Sequence, residues 1–168
     1  IRGHGGDDSI YSGDGADRIY GGSGDDYINA GPDYVWPATT TDYDVVFGGS
    51  GADRILSGSG NDTIYGGSGD DYITGGQDGI ATVYGGAGED EFFLSEGGAS
   101  IYMSDFADDE DTFILDKEYF DRDHLTAASL LTLAVEIDGN VKIEDSFGRV
   151  IFFEDITKTQ LLDDISII

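Results

Sequence analysis

Eight aspartates recur through the first half of the chain at a spacing of nine residues or close to a multiple of it: Asp8, Asp17, Asp26, Asp44, Asp53, Asp62, Asp71 and Asp90. All but Asp44 follow a short glycine-rich run, and each is followed two residues later by a large apolar side chain. Carboxylates and turn carbonyls are oxygen donors. The turns offer no sulfur, because the chain has no cysteine, and the one nitrogen ligand among them is His4. Such a donor set argues against zinc and copper, which take nitrogen and sulfur. It suits calcium, which accepts six to eight oxygens at about 2.3–2.6 Å in irregular cages, better than the smaller and stricter magnesium.

The elements that position these carboxylates are short units. Gly48 to Thr74 reads GGSGADRIL, SGSGNDTIY and GGSGDDYIT, three nine-residue units with nothing added or lost. Small residues stand at positions one and two, Gly at four, Asp at six and Ile at eight. The same frame gives units at Gly3–Tyr11, Ser12–Tyr20 and Gly21–Asn29, a disturbed unit at Ala30–Phe47, a ten-residue degenerate unit at Gly75–Tyr84 and a last one at Gly85–Phe93. Position eight holds Ile10, Ile19, Ile28, Val46, Ile55, Ile64, Ile73, Val83 and Phe92. All but the last are β-branched and favour short strands. Each unit is then a glycine turn plus a strand of about three residues, and glycine permits the positive φ of tight turns. Two units make one turn of a coil, so units n and n+2 stack at about 4.8 Å. Position-eight side chains point inward, and turn carbonyls and aspartates face the gap between stacked turns. One such coil cannot bury its core alone, so stacking and end caps are required.

The disturbed unit is read as one unit interrupted by a loop at about 32–41. The alternative, two degenerate units, would put Pro37 at an inward strand position, where it cannot donate to a ladder. The single-unit register aligns Tyr20, Phe47, Tyr65 and Tyr84 in one aromatic column.

Composition narrows the function. Eight Lys+Arg against 35 Asp+Glu give a net charge of −27 over 168 residues, which opposes compaction unless cations neutralise it. No basic patch is available for nucleic acid, and no apolar run is long enough to span a membrane. With no cysteine there are no disulfides, so bound metal is the available staple. The chain opens one step before a repeat and reads as a segment of a longer protein.

Residues 1–98 hold 25 of the 27 glycines, so a boundary is expected near Leu94 to Ala99. Residues 99–168 read as a β-rich cap with short helical turns. Its expected parts are an apolar run Ile101–Phe106, a strand Thr112–Leu115, and a short helix over Asp123–Leu131 capped by Asp121 or Asp123. Antiparallel strands are expected at Leu131–Ile137, Val141–Glu144 and Arg149–Phe153. Thr157 or Thr159 would cap a helical turn, and an apolar tail closes the chain.

The nonapeptide G-G-x-G-x-D-x-U-x resembles the RTX (repeats-in-toxin, hemolysin-type) calcium-binding repeat, and the match covers residues 3–93. Residues 99–168 more loosely resemble the flanking segment of such proteins, through Asp105-Phe106, the acidic turn after it and the strand at Thr112–Leu115. The resemblance implies an all-β fold, a right-handed parallel β-roll with a β-rich C-terminal cap. It also implies calcium ligands by position. One turn supplies the carbonyls of positions two and four with its Asp, and the turn two units on supplies those of positions one and three with its Asp. Carried over, one row runs through Asp8, Asp26, Asp53, Asp71 and Asp90. Its carbonyls come from Gly6, from Gly21, Gly22, Ser23 and Gly24, from Gly48, Gly49, Ser50 and Gly51, from Gly66, Gly67, Ser68 and Gly69, and from Gly85 and Ala87. The other row runs through Asp17, Asp44 and Asp62 with Gly13, Gly15, Ser57 and Ser59. It is expected to be altered at Asp44 and to end near Asp62, because Ile80 or Ala81 stands where the next Asp belongs.

The family further implies type I secretion, with an uncleaved signal resembling Asp164–Ile168, and upstream domains in a larger extracellular protein that could be an enzyme or toxin. No catalytic triad or H-E-x-x-H motif appears, so this segment is not expected to be an enzyme. Function is therefore expected to be calcium-induced folding after secretion. The alternative is a carbohydrate-binding or adhesive module beside a polysaccharide-modifying enzyme, using the aromatic column, for which ordinary packing is the preferred reading. The acidic turn Asp108–Asp111 is read as solvated in preference to a further cation site, and His4 and His124 as surface residues. Trp36 is either packing or binding. The glycosylation triplet Asn61-Asp62-Thr63 is treated as chance.

Overall fold

The computed structural model describes residues 1–31, 43–76, 79–94, 100–107, 109–116, 126–145 and 148–168. Two sheets enclose one core. The first contains β1 (Ser9–Tyr11), β3 (Tyr27–Asn29), β5 (Arg54–Leu56), β7 (Tyr72–Thr74), β9 (Glu91–Leu94), β11 (Thr112–Leu115) and β15 (Ile165–Ile167), in that order and all parallel. The second runs from β2 (Arg18–Ser23) through β4 (Val45–Ser50), β6 (Gly60–Ser68), β8 (Gly79–Ala87), β10 (Ser100–Met103) and β14 (Val150–Phe153), again parallel. It then turns antiparallel through β13 (Asn140–Glu144) and β12 (Val135–Ile137). Odd and even units thus feed opposite sheets, as a two-unit coil requires.

Register follows the repeat. Ile10 pairs with Ile28 and Ile55 with Ile73 in one sheet, and Val46 with Ile64 in the other. Ile19 pairs with Val46, across the disturbed unit. That parity is the one a single interrupted unit demands; two units would send Val46 to the opposite sheet. The loop at 32–41, with Trp36 and Pro37, lies outside the described residues, as do Asp108 and His124.

The inward residues Ile19, Ile28, Val46, Ile55, Ile64, Ile73, Val83 and Phe92 are fully buried. This ladder is one side chain wide. Toward the C-terminus it widens into a phenylalanine cluster, where Phe106 and Phe113 each meet Phe153 edge-on at 5.3 and 5.4 Å. Such pairs add to area burial. Both sheets continue past the expected boundary: β10 stacks on β8 and β11 on β9. The flanking segment thus extends the roll before it caps it.

Three local expectations need correction. The described helix is α1 (Ala127–Leu131), capped by Thr126; Asp121 and Asp123, the expected caps, lie outside the described residues. Thr126 accepts the Ser129 N–H at 3.1 Å while Ser129 Oγ accepts the Thr126 N–H at 2.8 Å, a reciprocal cap. The strand expected over Leu131–Ile137 begins only at Val135, because Leu131 ends α1 and packs in the core. The second-sheet strands β6 and β8 are nine residues long, against the expected three or so. In the β12–β13 hairpin, Asp138 and Gly139 both take positive φ (52° and 86°), the requirement of a type I′ turn.

Candidate metal centre

Asp8, Asp26, Asp53, Asp71 and Asp90 each stand directly before a short first-sheet strand whose apolar second residue is buried. Asp26, Asp53 and Asp71 are 2% exposed and Asp90 1%, although all are acids. One oxygen of each has a fixed partner in the adjacent turn. Asp26 Oδ1 accepts the Asp8 N–H at 2.8 Å, Asp53 Oδ1 that of Asp26 at 2.8 Å, Asp71 Oδ1 that of Asp53 at 2.8 Å, and Asp90 Oδ1 that of Asp71 at 2.9 Å. The five carboxylates therefore form one column.

The second oxygen is unsatisfied. Oδ2 of Asp8, Asp26, Asp53, Asp71 and Asp90 is buried with no hydrogen-bond partner in the protein. Burying a carboxylate oxygen unpaired is strongly unfavourable unless a cation meets it. A carbonyl shares the same small space. A Cβ added at Gly48 would collide with Asp53 Oδ2 and lie 2.5 Å from the Gly66 carbonyl oxygen, one turn on. Gly3, Gly21 and Gly66 repeat this arrangement with Asp8 and Gly21, Asp26 and Gly48, and Asp71 and Gly85. Glycine at position one keeps the space open. At position four, Gly51 has φ 120°, and a Cβ there would run into the Gly24 carbonyl.

Electrostatics agree. Burial pushes the Asp53 carboxyl up from 3.8 to about 6, that of Asp71 to about 7 and that of Asp90 to about 6. The accepted backbone hydrogen bonds oppose this, and repulsion from neighbouring acids adds to it. Arg54, next to Asp53, rests on a ring, 4.2 Å from the Tyr72 centroid, and Arg18, next to Asp17 of the other row, lies 5.1 Å from that of Phe47. Unsatisfied buried oxygens, converging carbonyls and an oxygen-only donor set fit a hard divalent cation of calcium's size.

Many of the expected carbonyl donors of the first row lie in the last residues of β2, β4, β6 and β8, where the strands run into the turns. Gly22, Gly49, Gly67 and Gly86 stand in register, as do Ser23, Ser50, Ser68 and Ala87. In the second row, Asp44 Oδ1 accepts the Asp17 N–H at 2.7 Å and Asp62 Oδ1 that of Asp44 at 3.0 Å. Asp44 and Asp62 are 2% exposed. Ser57 and Ser59 are buried, whereas Gly13 and Gly15 lie exposed on the outermost turn of that side. In register beyond Asp62 stands Ala81. Here β6 and β8 pair from Gly60 and Gly79 onward. Ala81 has no carboxylate to offer a cation there.

The acidic turn expected to be solvated is corrected at Asp111, which is buried, and Asp105 beside it also reaches a repeat turn. Asp111 is 4% exposed, and its Oδ1 accepts the Asp90 N–H at 3.0 Å, continuing the first column. Its signal was present: Glu110-Asp111-Thr112-Phe113 repeats the acid–acid–x–apolar pattern of Glu89-Asp90-Glu91-Phe92. Asp105 accepts the Gly85 N–H at 2.8 Å. Acids at position five form an outer, exposed column, with Asp7 accepting the Asp25 N–H at 2.9 Å and Asp70 that of Glu89 at 3.0 Å. Near the C-terminus, Asp109, Asp163 and Asp164 bring carboxylate oxygens within 4.8 Å of one another.

The aromatic column is real. Tyr20, Phe47, Tyr65 and Tyr84 stack at 5.0, 4.9 and 4.7 Å, nearly parallel. Their faces are turned to one another, whereas a sugar ring needs a free face.

Comparison with curated proteins gives no match. Among solved structures, the solution structure of the AlgE6R3 subunit from the Azotobacter vinelandii mannuronan C5-epimerase aligns with 98% of this chain and 80% of that one, at 20% identity and a TM-score of 0.37. The sequence model of the RTX calcium-binding nonapeptide repeat matches residues 1–34, 47–79 and 78–98. With that match spanning half of the chain, and a parallel roll presenting columns of buried aspartates, the protein belongs to the RTX calcium-binding nonapeptide repeat family.

Proposed function

We propose that this chain is a calcium-dependent folding module of a secreted, extracellular protein, and that it stabilises the larger protein to which it belongs. The observation that carries the reading is the column of buried Oδ2 atoms with no partner in the protein. Without cations, the column holds ionised carboxylates out of water, on a chain of net charge −27. Self-repulsion and abundant glycine then favour the unfolded state. Calcium supplies the positive charge the column lacks, and its binding energy becomes folding energy. Asp8, Asp26, Asp53, Asp71 and Asp90 with the carbonyls of their turns hold the first row of ions, and Asp17, Asp44 and Asp62 the second.

Extracellular calcium modules work at about 10⁻⁴–10⁻³ M, so the chain stays open in a calcium-poor cytosol and closes outside. This suits export by a type I system. The tail fits the same logic: Ile165–Ile167 is a strand of the folded roll, paired with β11, and is exposed as a linear signal only before folding. Upstream domains of the parent protein are the partners stabilised.

Small-angle scattering tests the reading. The radius of gyration is expected to fall from about 43 Å in chelator to about 15 Å in millimolar calcium, the values for an unfolded and a compact chain of this length. A compact radius in chelator refutes calcium-dependent folding. Secretion is tested separately, by deleting Asp164–Ile168 and measuring export; unchanged export removes the tail from the proposal.

A further inference from the structure

The end of the first column is built differently from its middle. Asp90 is 1% exposed, and its Oδ1 accepts the Asp71 N–H at 2.9 Å. Its Oδ2 is buried without a partner. In the earlier layers this oxygen shares its space with the position-one carbonyl of the following turn. In the layer after Asp90, the register of Met103 with Val83 places Asp105 opposite Gly85. The Asp105 side chain reaches back across the gap, and its Oδ1 accepts the Gly85 N–H at 2.8 Å. A Cβ on Gly85 would collide with Asp90 Oδ2. Both carboxylates therefore border Gly85, Asp105 on its N–H and Asp90 on its Cα, with Cζ of Phe92 against the same space as Asp90 Oδ2. The next aspartate of the column, Asp111, has both oxygens engaged: Oδ1 accepts the Asp90 N–H at 3.0 Å and Oδ2 the Ala107 N–H at 2.8 Å.

We propose that Asp90 Oδ2 and the Asp105 carboxylate hold one more calcium-sized divalent cation, in the gap between the turn ending at Asp90 and the turn from Asp105 to Asp111. This deepens the calcium reading above and rests on it. The site lies half outside the nonapeptide units, since Asp105 belongs to the flanking segment. Its ion ties the repeats to the segment that covers β8 and β9. In this layer the atoms nearest a Cβ on Gly85 belong to Asp90 and Phe92 rather than to a turn carbonyl, so the Asp105 carboxylate would complete the donor set.

Equilibrium dialysis of the full chain against calcium, with bound metal counted by elemental analysis, tests the site. Asp105→Asn keeps an oxygen to accept the Gly85 N–H but removes the charge. It is expected to bind one calcium fewer per chain than wild type, with an unchanged β circular dichroism signal at saturating calcium. An unchanged count overturns the site. Wild-type crystals grown with calcium give a second measurement that needs no variant. An ion within about 2.3–2.6 Å of Asp90 Oδ2 and of an Asp105 oxygen is expected, and its absence there overturns the site. A wild-type chain that binds no calcium overturns the proposed function itself, a result distinct from an unchanged count in Asp105→Asn.

Discussion

Asp71→Asn changes one atom of the column and has opposite consequences with and without calcium. Asn can still accept the Asp53 N–H that Asp71 Oδ1 now takes at 2.8 Å. Its amide nitrogen replaces Oδ2 in the space shared with the Gly85 carbonyl. Without metal, the change removes a buried carboxylate whose pKa burial has pushed up to about 7. The calcium-free chain should therefore lose no stability. With calcium, a hydrogen-bond donor stands where an anionic ligand is needed. A site filled at a hundredfold its Kd adds about 2.7 kcal/mol. Asp71 faces the gap toward Asp53 and the gap toward Asp90, so the loss should be about 3–5 kcal/mol, against about 5–15 kcal/mol for a whole domain. At about 2–4 °C per kcal/mol for a chain of this size, Tm should fall by about 6–20 °C. The assay is thermal unfolding by circular dichroism, in millimolar calcium and in chelator. Asp70→Asn is the control: Asp70 stands on the same turn but is exposed, and its effect should stay within about 0.5 kcal/mol. Equal losses for Asp71→Asn in calcium and in chelator, or a loss in calcium no larger than the control's, would refute the assignment of Oδ2 to a cation.

Gly48→Ala puts a methyl into the space of Asp53 Oδ2 and the Gly66 carbonyl, so calcium titration should show one gap lost or its midpoint raised at least tenfold; a wild-type titration curve contradicts the cradle. The pH dependence should invert with metal. The Asp53, Asp71 and Asp90 carboxyls are raised from 3.8 to about 6, 7 and 6, so the metal-free fold holds more protons than the unfolded chain between those values. Its stability is greatest at the acid end and falls as pH rises from about 4 to 7. Calcium affinity should rise over the same window, because the metal needs the ionised forms. Denaturation in chelator at several pH values, beside calcium titrations, checks both signs; stability in chelator that rises with pH contradicts them. Ending the chain at Leu94 leaves β8 and β9 without the strands that cover them, so the calcium-induced β signal should be lost or need far more calcium; an unchanged response would show the flank dispensable.

Much of this architecture is legible in the sequence because the repeat encodes it redundantly. Ile55, Ile64 and Ile73 fix the inward face, the glycines fix the turns, and Asp53, Asp62 and Asp71 fix the columns. Even the parity of the disturbed unit follows from excluding Pro37 from an inward strand position. The flank is less legible for physical reasons. The acidic stretch Asp105–Asp111 between β10 and β11 carries none of the nonapeptide's glycines, so these strands do not announce that they prolong the roll. β14 and β15 reach their parallel partners from about fifty residues away, and nothing in local spacing marks such a return. Asp111 carries the repeat's pattern, but a run of four acids reads as a solvated turn, and only the stacking of β11 on β9 shows Asp111 buried. The division of labour between Oδ1 and Oδ2 is not a property of sequence at all. It emerges only when one turn is laid on the next.

The most direct test of the central claim is far-ultraviolet circular dichroism of the full chain titrated with calcium from chelator, with magnesium as the comparison ion. The columns of buried, partly unpartnered carboxylates predict a largely disordered spectrum in chelator. They predict a cooperative change to a β spectrum at about 10⁻⁴–10⁻³ M calcium and little change with magnesium at the same concentration. A full β spectrum already present in chelator at neutral pH would contradict the account.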